Sequence, residues 1–241
     1  MPSTVLITTA TSPPEGMPFL QMTNNAARFI TAKAAVFFWA AQGVEQLVIA
    51  DATGSILLRE DEVTLLGAIN VAVEQIHYQQ DDALITSRGK GYAEGELIKF
   101  ALNESAFLQK ETSFFKCTGK VYCRNFAQIQ QAIKDLHIRN IFWKHLGEGD
   151  LTKPWADTRF FYTTKYFCEH YLLPAYMNAD DQTSAAEYFV FHMLNETLPQ
   201  SKTIRPLLSG FEGGTGRPYF DSSLGALDAN CPCWLNTSLR V

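Results

Sequence analysis

Leu47-Val48-Ile49-Ala50, followed at once by Asp51-Ala52-Thr53-Gly54-Ser55, decides how this chain is read. An apolar run cut off by turn residues is a buried strand, and a strand apolar on both faces belongs to a parallel sheet covered by helices. Upstream, Asn24 to Trp39 carries Ala27, Ile30, Ala34, Phe37 and Phe38 at near-helical spacing before Gln42-Gly43 stops it. Further back, Val5 to Thr9 is a β-branched strand halted by the turn cluster Ala10 to Gly16. The unit is βαβ. Downstream, Glu62 to Gln75 reads as a helix with Leu65, Leu66, Ile69 and Val73 on one face, and Asp82 to Thr86 as the third strand. Glu94 to Leu102 reads as a helix, and Ser113 to Gly119 as strand four and its end. This alternation implies an α/β fold with a doubly wound, mostly parallel sheet, whose ligands gather at the carboxyl ends of the strands.

The second half is less regular. Ala127 to Leu136 reads as helix, Ile138 to Trp143 as strand, Gly147 to Asp150 as loop and Thr158 to Thr163 as an aromatic strand. Cys168 to Met177 reads as a helix that Pro174 must kink or break. Thr183 to Leu194 is another, with Ser184 and Glu187 spaced as a capping box. Ile204 to Leu208 returns to the sheet, and Gly210 to Gly216 is a loop. With no repeat, low-complexity tract or linker, residues 1–241 form a single domain, divided into a half over 1–126 and an elaborated half over 127–241.

Composition narrows the function. A hydrophobic content of 46% supports a large core, and a net charge of -5 without a basic run argues against a duplex nucleic-acid binder. The first residues lack the basic flank of a signal peptide, and no apolar stretch approaches the ~18 residues of a membrane span. A cytoplasmic protein is expected, with association at the inner membrane face left open. The five cysteines are odd in number and scattered, so they are expected to be thiols, with Cys231 and Cys233 in a packed C-terminal tail.

Several residues are candidates for chemistry. Arg88-Gly89-Lys90-Gly91-Tyr92 opens a helix, where backbone N–H groups and a lysine suit an anion, although it matches neither standard phosphate loop. Asp51, with Ser55 in the same loop, suits ribose or base hydroxyls, or else organises its own turn. Lys116 and Lys120 would join Arg88 and Lys90 on one rim, enough charge for a diphosphate without a metal. Asp157 and Arg159 flank an aromatic strand, and Glu187, on an apolar helix segment, is the best candidate for a general base. No GxSxG, HExxH or paired CxxC supports a hydrolase or a zinc enzyme.

Taken in order, strand one, the Asp51 loop, the Lys90 turn, Phe114 to Lys120, Asp157-Thr158-Arg159-Phe160 and Glu187 resemble a bacterial glycosyltransferase of the GT-A type. The pattern is similar to small cytosolic transferases of surface-polysaccharide assembly. These carry a strand end reading lysine, any residue, threonine, glycine, arginine, then an aspartate-threonine-arginine; Lys120 stands here in place of the arginine. The resemblance implies a donor half in which Asp51 meets the nucleoside and Lys90 the nucleotide or its phosphates. It implies an acceptor and catalytic half around Asp157, Arg159 and Glu187. Metal-dependent members present Asp-x-Asp after strand four, and no such triplet occurs in this sequence. No cofactor is therefore expected beyond a nucleotide-sugar donor, with a glycan or lipid-linked glycan as acceptor. A CMP-activated sugar needs the least compensating charge. The competing readings are a nucleotide-binding protein or nucleotidyltransferase on the same sheet, and an accessory subunit whose aromatic second half is a partner surface.

Overall fold

A computed structural model of the chain describes residues 3–17, 20–144, 155–211, 216–221 and 231–237. The first half runs β1 (Thr4–Thr9), α1 (Asn25–Ala41), β2 (Gln46–Asp51), α2 (Glu60–Ala68), β3 (Ala72–His77), α3 (Asp82–Arg88), α4 (Lys90–Glu104), α5 (Ala106–Lys110), β4 (Ser113–Thr118) and β5 (Val121–Cys123). The second half continues α6 (Phe126–Asp135), β6 (Asn140–Lys144), β7 (Ala156–Thr164), α7 (Lys165–Phe167), a π-helical turn (Cys168–Leu172), α8 (Leu173–Met177) and α9 (Ala186–Thr197). It closes with β8 (Gln200–Thr203), β9 (Leu208–Phe211), β10 (Pro218–Phe220) and β11 (Cys231–Asn236).

The main sheet has eight strands in the order β3-β2-β1-β4-β7-β6-β11-β8. The pairs β2–β3, β1–β2 and β1–β4 are parallel, and every later pair is antiparallel. Only β7 and β11 therefore oppose the common direction, and the expected mostly parallel α/β sheet is the one observed. A second sheet, β10-β9-β5, flanks it. Strand alternation sends Val5, Ile7, Phe115 and Cys117 to a core under α1, α2 and α6, and Leu6, Phe114, Phe142 and Phe161 to a core under α4, α8 and α9. Three fully buried tryptophans keep their indole N–H groups paired, Trp39 to Val121 O (3.0 Å), Trp143 to Ile204 O (3.0 Å) and Trp234 to Asn195 Oδ1 (2.9 Å). The aromatic second half is thus mainly core: Phe160, Phe161, Tyr162 and Phe167 are buried and Tyr166 is exposed.

Several boundaries differ from the sequence expectation. Asp82 to Arg88 is a helix, not a strand, because Asp81 caps it by accepting from Leu84 N–H (3.0 Å). The third strand is Ala72–His77, at the sheet edge, where half-exposed positions dilute the apolar signal. Asn70, at φ 62°, breaks the chain between α2 and that strand. Pro174 sits in the first turn of α8, directly after a π-helical turn that interrupts the regular α-helix, so the expected irregularity falls just before the proline. Ser184 does not cap α9, whose N-cap is Ala185 without a side-chain bond. Ile204 to Leu208 leads into the small sheet. Cys231 and Cys233 lie buried in β11, inside the main sheet between β6 and β8, and all five cysteines are buried free thiols. The loop at Gly147 to Asp150 and most of the one at Gly210 to Gly216 lie outside the described residues. No described helix is long and apolar enough to cross a membrane.

Candidate active site at the sheet switch point

β1 is flanked by β2 on one side and β4 on the other, so consecutive connections leave it in opposite directions. A doubly wound sheet opens a crevice at that point, beyond the carboxyl ends of the two central strands. A cavity of about 450 Å³ occupies it. Its floor is Thr8 and Thr9 at the end of β1, Thr118 at the end of β4, and Gly119 and Lys120 just after it; Met17 and Leu20 add apolar surface. Lys90 and Glu94 of α4, Thr158 and Arg159 of β7, Asp181, and Glu187 of α9 complete the walls. β7 contributes because it runs against β4, which brings its first residues to this rim. A larger cavity of about 660 Å³ lies at the opposite end of the sheet, by Thr112, Asn140 and Thr164. It sits at the amino ends of β4 and β6, so the smaller cavity, at the carboxyl ends, is taken as the site.

Glu94 of the wall pairs with a lysine buried beneath the floor. Lys116, fully buried, places Nζ 2.6 Å from Glu94 Oε1 and donates to Thr118 Oγ1 (2.8 Å) and Thr158 O (2.7 Å). Glu94 Oε1 also accepts from Thr8 Oγ1 (2.8 Å) and Thr118 Oγ1 (3.1 Å). Lys116 is thereby committed to Glu94 and stays off the cavity wall, which departs from the expected phosphate contact. Glu94 went unassigned in the sequence, although it shares the buried face of α4 with Leu97, Ile98 and Ala101.

Glu187 faces this pair. Thr158 Oγ1 donates to its Oε1 (3.3 Å), and burial first, then repulsion from Glu94 and Asp181, push its carboxyl above the usual range. Tyr176, buried nearby, is held well above the ordinary phenol range by burial and then by Glu94 and Glu187, so its hydroxyl stays protonated. Asp157 accepts a forked pair from Arg159, Nε to Oδ1 (2.9 Å) and Nη2 to Oδ2 (2.7 Å), besides the Arg159 backbone N–H (3.0 Å). Asp157 therefore fixes the guanidinium that lines the cavity, while Glu187 itself lines it.

The remaining candidates have structural partners. Asp51 Oδ1 accepts from Thr53 N–H (2.8 Å), Thr53 Oγ1 (2.5 Å) and Ser55 N–H (3.1 Å), and Oδ2 from Thr11 N–H (3.1 Å). It knots the β1 and β2 loops together, and neither it nor Ser55 lines the cavity. Arg88 donates to Met177 O (2.7 Å) and Ala179 O (3.1 Å), closing the end of α8 instead of holding phosphate. The start of α4 does receive an anion, but it is the protein's own: Lys90 N–H donates to Asp181 Oδ2 (2.7 Å). Gly89 permits this contact at φ 93°, and a Cβ there would sit 2.4 Å from Asp181 Cβ. Gly89→Ala is expected to cost about 2 kcal/mol in urea unfolding; an unchanged midpoint would contradict the fit.

Two cations line the cavity more deeply. Arg28, 4% exposed, donates Nε (2.9 Å) and Nη2 (2.6 Å) to Ala10 O and holds the loop after β1. Lys120 is 3% exposed; burial foremost, then Arg28, lower its ammonium to about 7, while Asp51 opposes the shift. Arg28 was missed in the sequence, yet it falls on the same buried stripe of α1 as Ala32, Ala35 and Val36.

Fold and site together define an α/β protein with a cavity lined by charged and apolar side chains at the switch point of a doubly wound sheet. Among solved structures it is similar to the crystal structure of mannose-1-phosphate geranyltransferase from Thermus thermophilus, at 10% identity and a TM-score of 0.27. The match covers 78% of this chain and 66% of that one. No protein-family model and no curated protein matches the sequence.

Proposed function

We propose that the protein is a glycosyltransferase that moves a sugar from a nucleotide-sugar donor to a glycan hydroxyl in bacterial surface-polysaccharide assembly. The observation that carries this reading is the pairing, in one switch-point cavity, of a desolvated carboxylate with cations. Glu187, Lys120, Arg28, Lys90 and Arg159 all line that cavity. The acceptor oxygen attacks the anomeric carbon as the bond to the donor phosphate breaks. Its proton passes to Glu187, and the departing phosphate keeps the electron pair beside the cations. Burial and the neighbouring carboxylates raise the basicity of Glu187, which suits a proton acceptor. The absence of Asp-x-Asp supports protein cations as the stabilising charge, and the reading places the protein in the cytoplasm or at the inner membrane face.

Isothermal titration with UDP-, CMP- and GDP-sugars, with and without Mn²⁺, tests the reading. One nucleotide class is expected to bind, and Lys90→Ala is expected to weaken it at least about tenfold while leaving acceptor binding unaltered. A wild-type protein that binds none of them would remove the reading.

A further inference from the structure

We infer that Lys120, Arg28 and the Thr9 hydroxyl form the subsite for the donor's phosphoryl group, at the floor of the cavity between the ends of β1 and β4. The inference rests on the proposed nucleotide chemistry and names the side chains that meet the anion. Lys120 follows Gly119 in the left-handed region, at φ 73°, a conformation that a lysine adopts only where its surroundings impose it. The side chain turns into the cavity wall, and among the described residues no hydrogen bond or ion pair reaches its ammonium. A buried cation without a bonded partner is costly, and an anionic ligand removes the cost.

The neighbours fit that task. Arg28 and Lys120 share one nearby carboxylate, Asp51, whose oxygens already accept from Thr11, Thr53 and Ser55. Those bonds commit the Asp51 carboxylate to the β1 and β2 loops. Among the described residues no hydrogen-bond partner reaches the buried Thr9 Oγ1, and the residue is 5% exposed. It is an idle donor at the end of the central strand. Gly119 keeps it uncovered: a Cβ at that position would sit 2.9 Å from Thr9 Oγ1. An ammonium, a guanidinium and a hydroxyl around an unfilled spot make a phosphoryl cradle.

A corollary follows from charge. Among the described residues, the charged groups around Lys120 are Arg28 from α1, Asp51 from β2, Lys90 and Glu94 from α4, Arg159 from β7, Asp181 before α9 and Glu187 in it. With its ammonium lowered to about 7, Lys120 is mostly neutral at pH 8, and an arriving phosphate restores the charge. Binding at pH 8 should thus draw a proton from solution.

The test is calorimetric titration of UDP, CMP and GDP at pH 8, in two buffers of different ionisation enthalpy. At that pH the nucleotides' own phosphate ionisation, near 6, is complete. The wild type is expected to take up about half to one proton per nucleotide bound. Lys120→Arg, permanently charged, should bind within about threefold and take up none, Lys120→Met should bind at least about tenfold more weakly, and Thr9→Val should weaken binding severalfold. Proton uptake that persists in Lys120→Arg, or undiminished binding by Lys120→Met, would overturn the subsite, as would a wild type that binds no nucleotide. Lys120-dependent binding without sugar transfer to any acceptor would keep the subsite and remove the transferase reading.

Discussion

Glu187→Gln is expected to lower sugar-transfer turnover by about 10²–10⁴-fold while nucleotide affinity stays within about twofold. The amide keeps the size and the contact with Thr158 but cannot accept the acceptor's proton. Because the carboxyl is pushed above the usual range, the wild-type rate should rise with pH through a limb lying above that of an ordinary glutamate. The stability control has a defined sign. A glutamate raised in the folded state binds more protons folded than unfolded, so stability falls as pH rises from its ordinary value through the folded one. At pH 7 the glutamine variant should therefore be at least as stable as the wild type. Turnover within about threefold of the wild type would shift the base to another group.

The second large effect concerns the ion pair of Lys116 with Glu94. Lys116→Met is expected to cost about 3 kcal/mol in urea unfolding, since it leaves the Glu94 carboxylate with hydroxyl donors but no cation. Adding Glu94→Gln to the same chain should restore most of the loss, because the uncompensated charge is then gone. A single variant as stable as the wild type would show that the pair carries no structural weight. The pair also sets the electrostatics of the site, since Glu94 adds to the repulsion that raises Glu187. Charge in that pair thus tunes the Glu187 carboxylate.

How far the sequence could be read depended on burial. β1, β2 and β4 stand buried in the middle of the sheet, and their β-branched and aromatic runs carry a strong signal. β3 is an edge strand whose Glu74 and Gln75 mask its period, and α3 is too short to show one, so the two were exchanged. The rim itself was legible: the Lys90 turn, the strand end at Lys120, Arg159 and Glu187 do line one cavity. Which charges face a ligand was not. Asp51, Arg88 and Lys116 have the residue types of ligands, yet backbone groups and Glu94 claim them. Those partners lie far apart in sequence, as with Arg88 and Ala179 or Lys116 and Thr158. Arg28 and Glu94 carried a usable signal, a charge on the buried stripe of a helix, which marks a group whose partner or ligand lies inside.

The central claim is sugar transfer, and a product assay reaches it most directly. The protein is incubated with UDP-, CMP- and GDP-sugars and a panel of oligosaccharide acceptors, and the acceptors are weighed by mass spectrometry. The account predicts one donor class that adds a single sugar residue to an acceptor, with free nucleotide released in equal amount and the product absent with Glu187→Gln. Nucleotide binding with no mass gain on any acceptor, or an equal yield from Glu187→Gln, would contradict it.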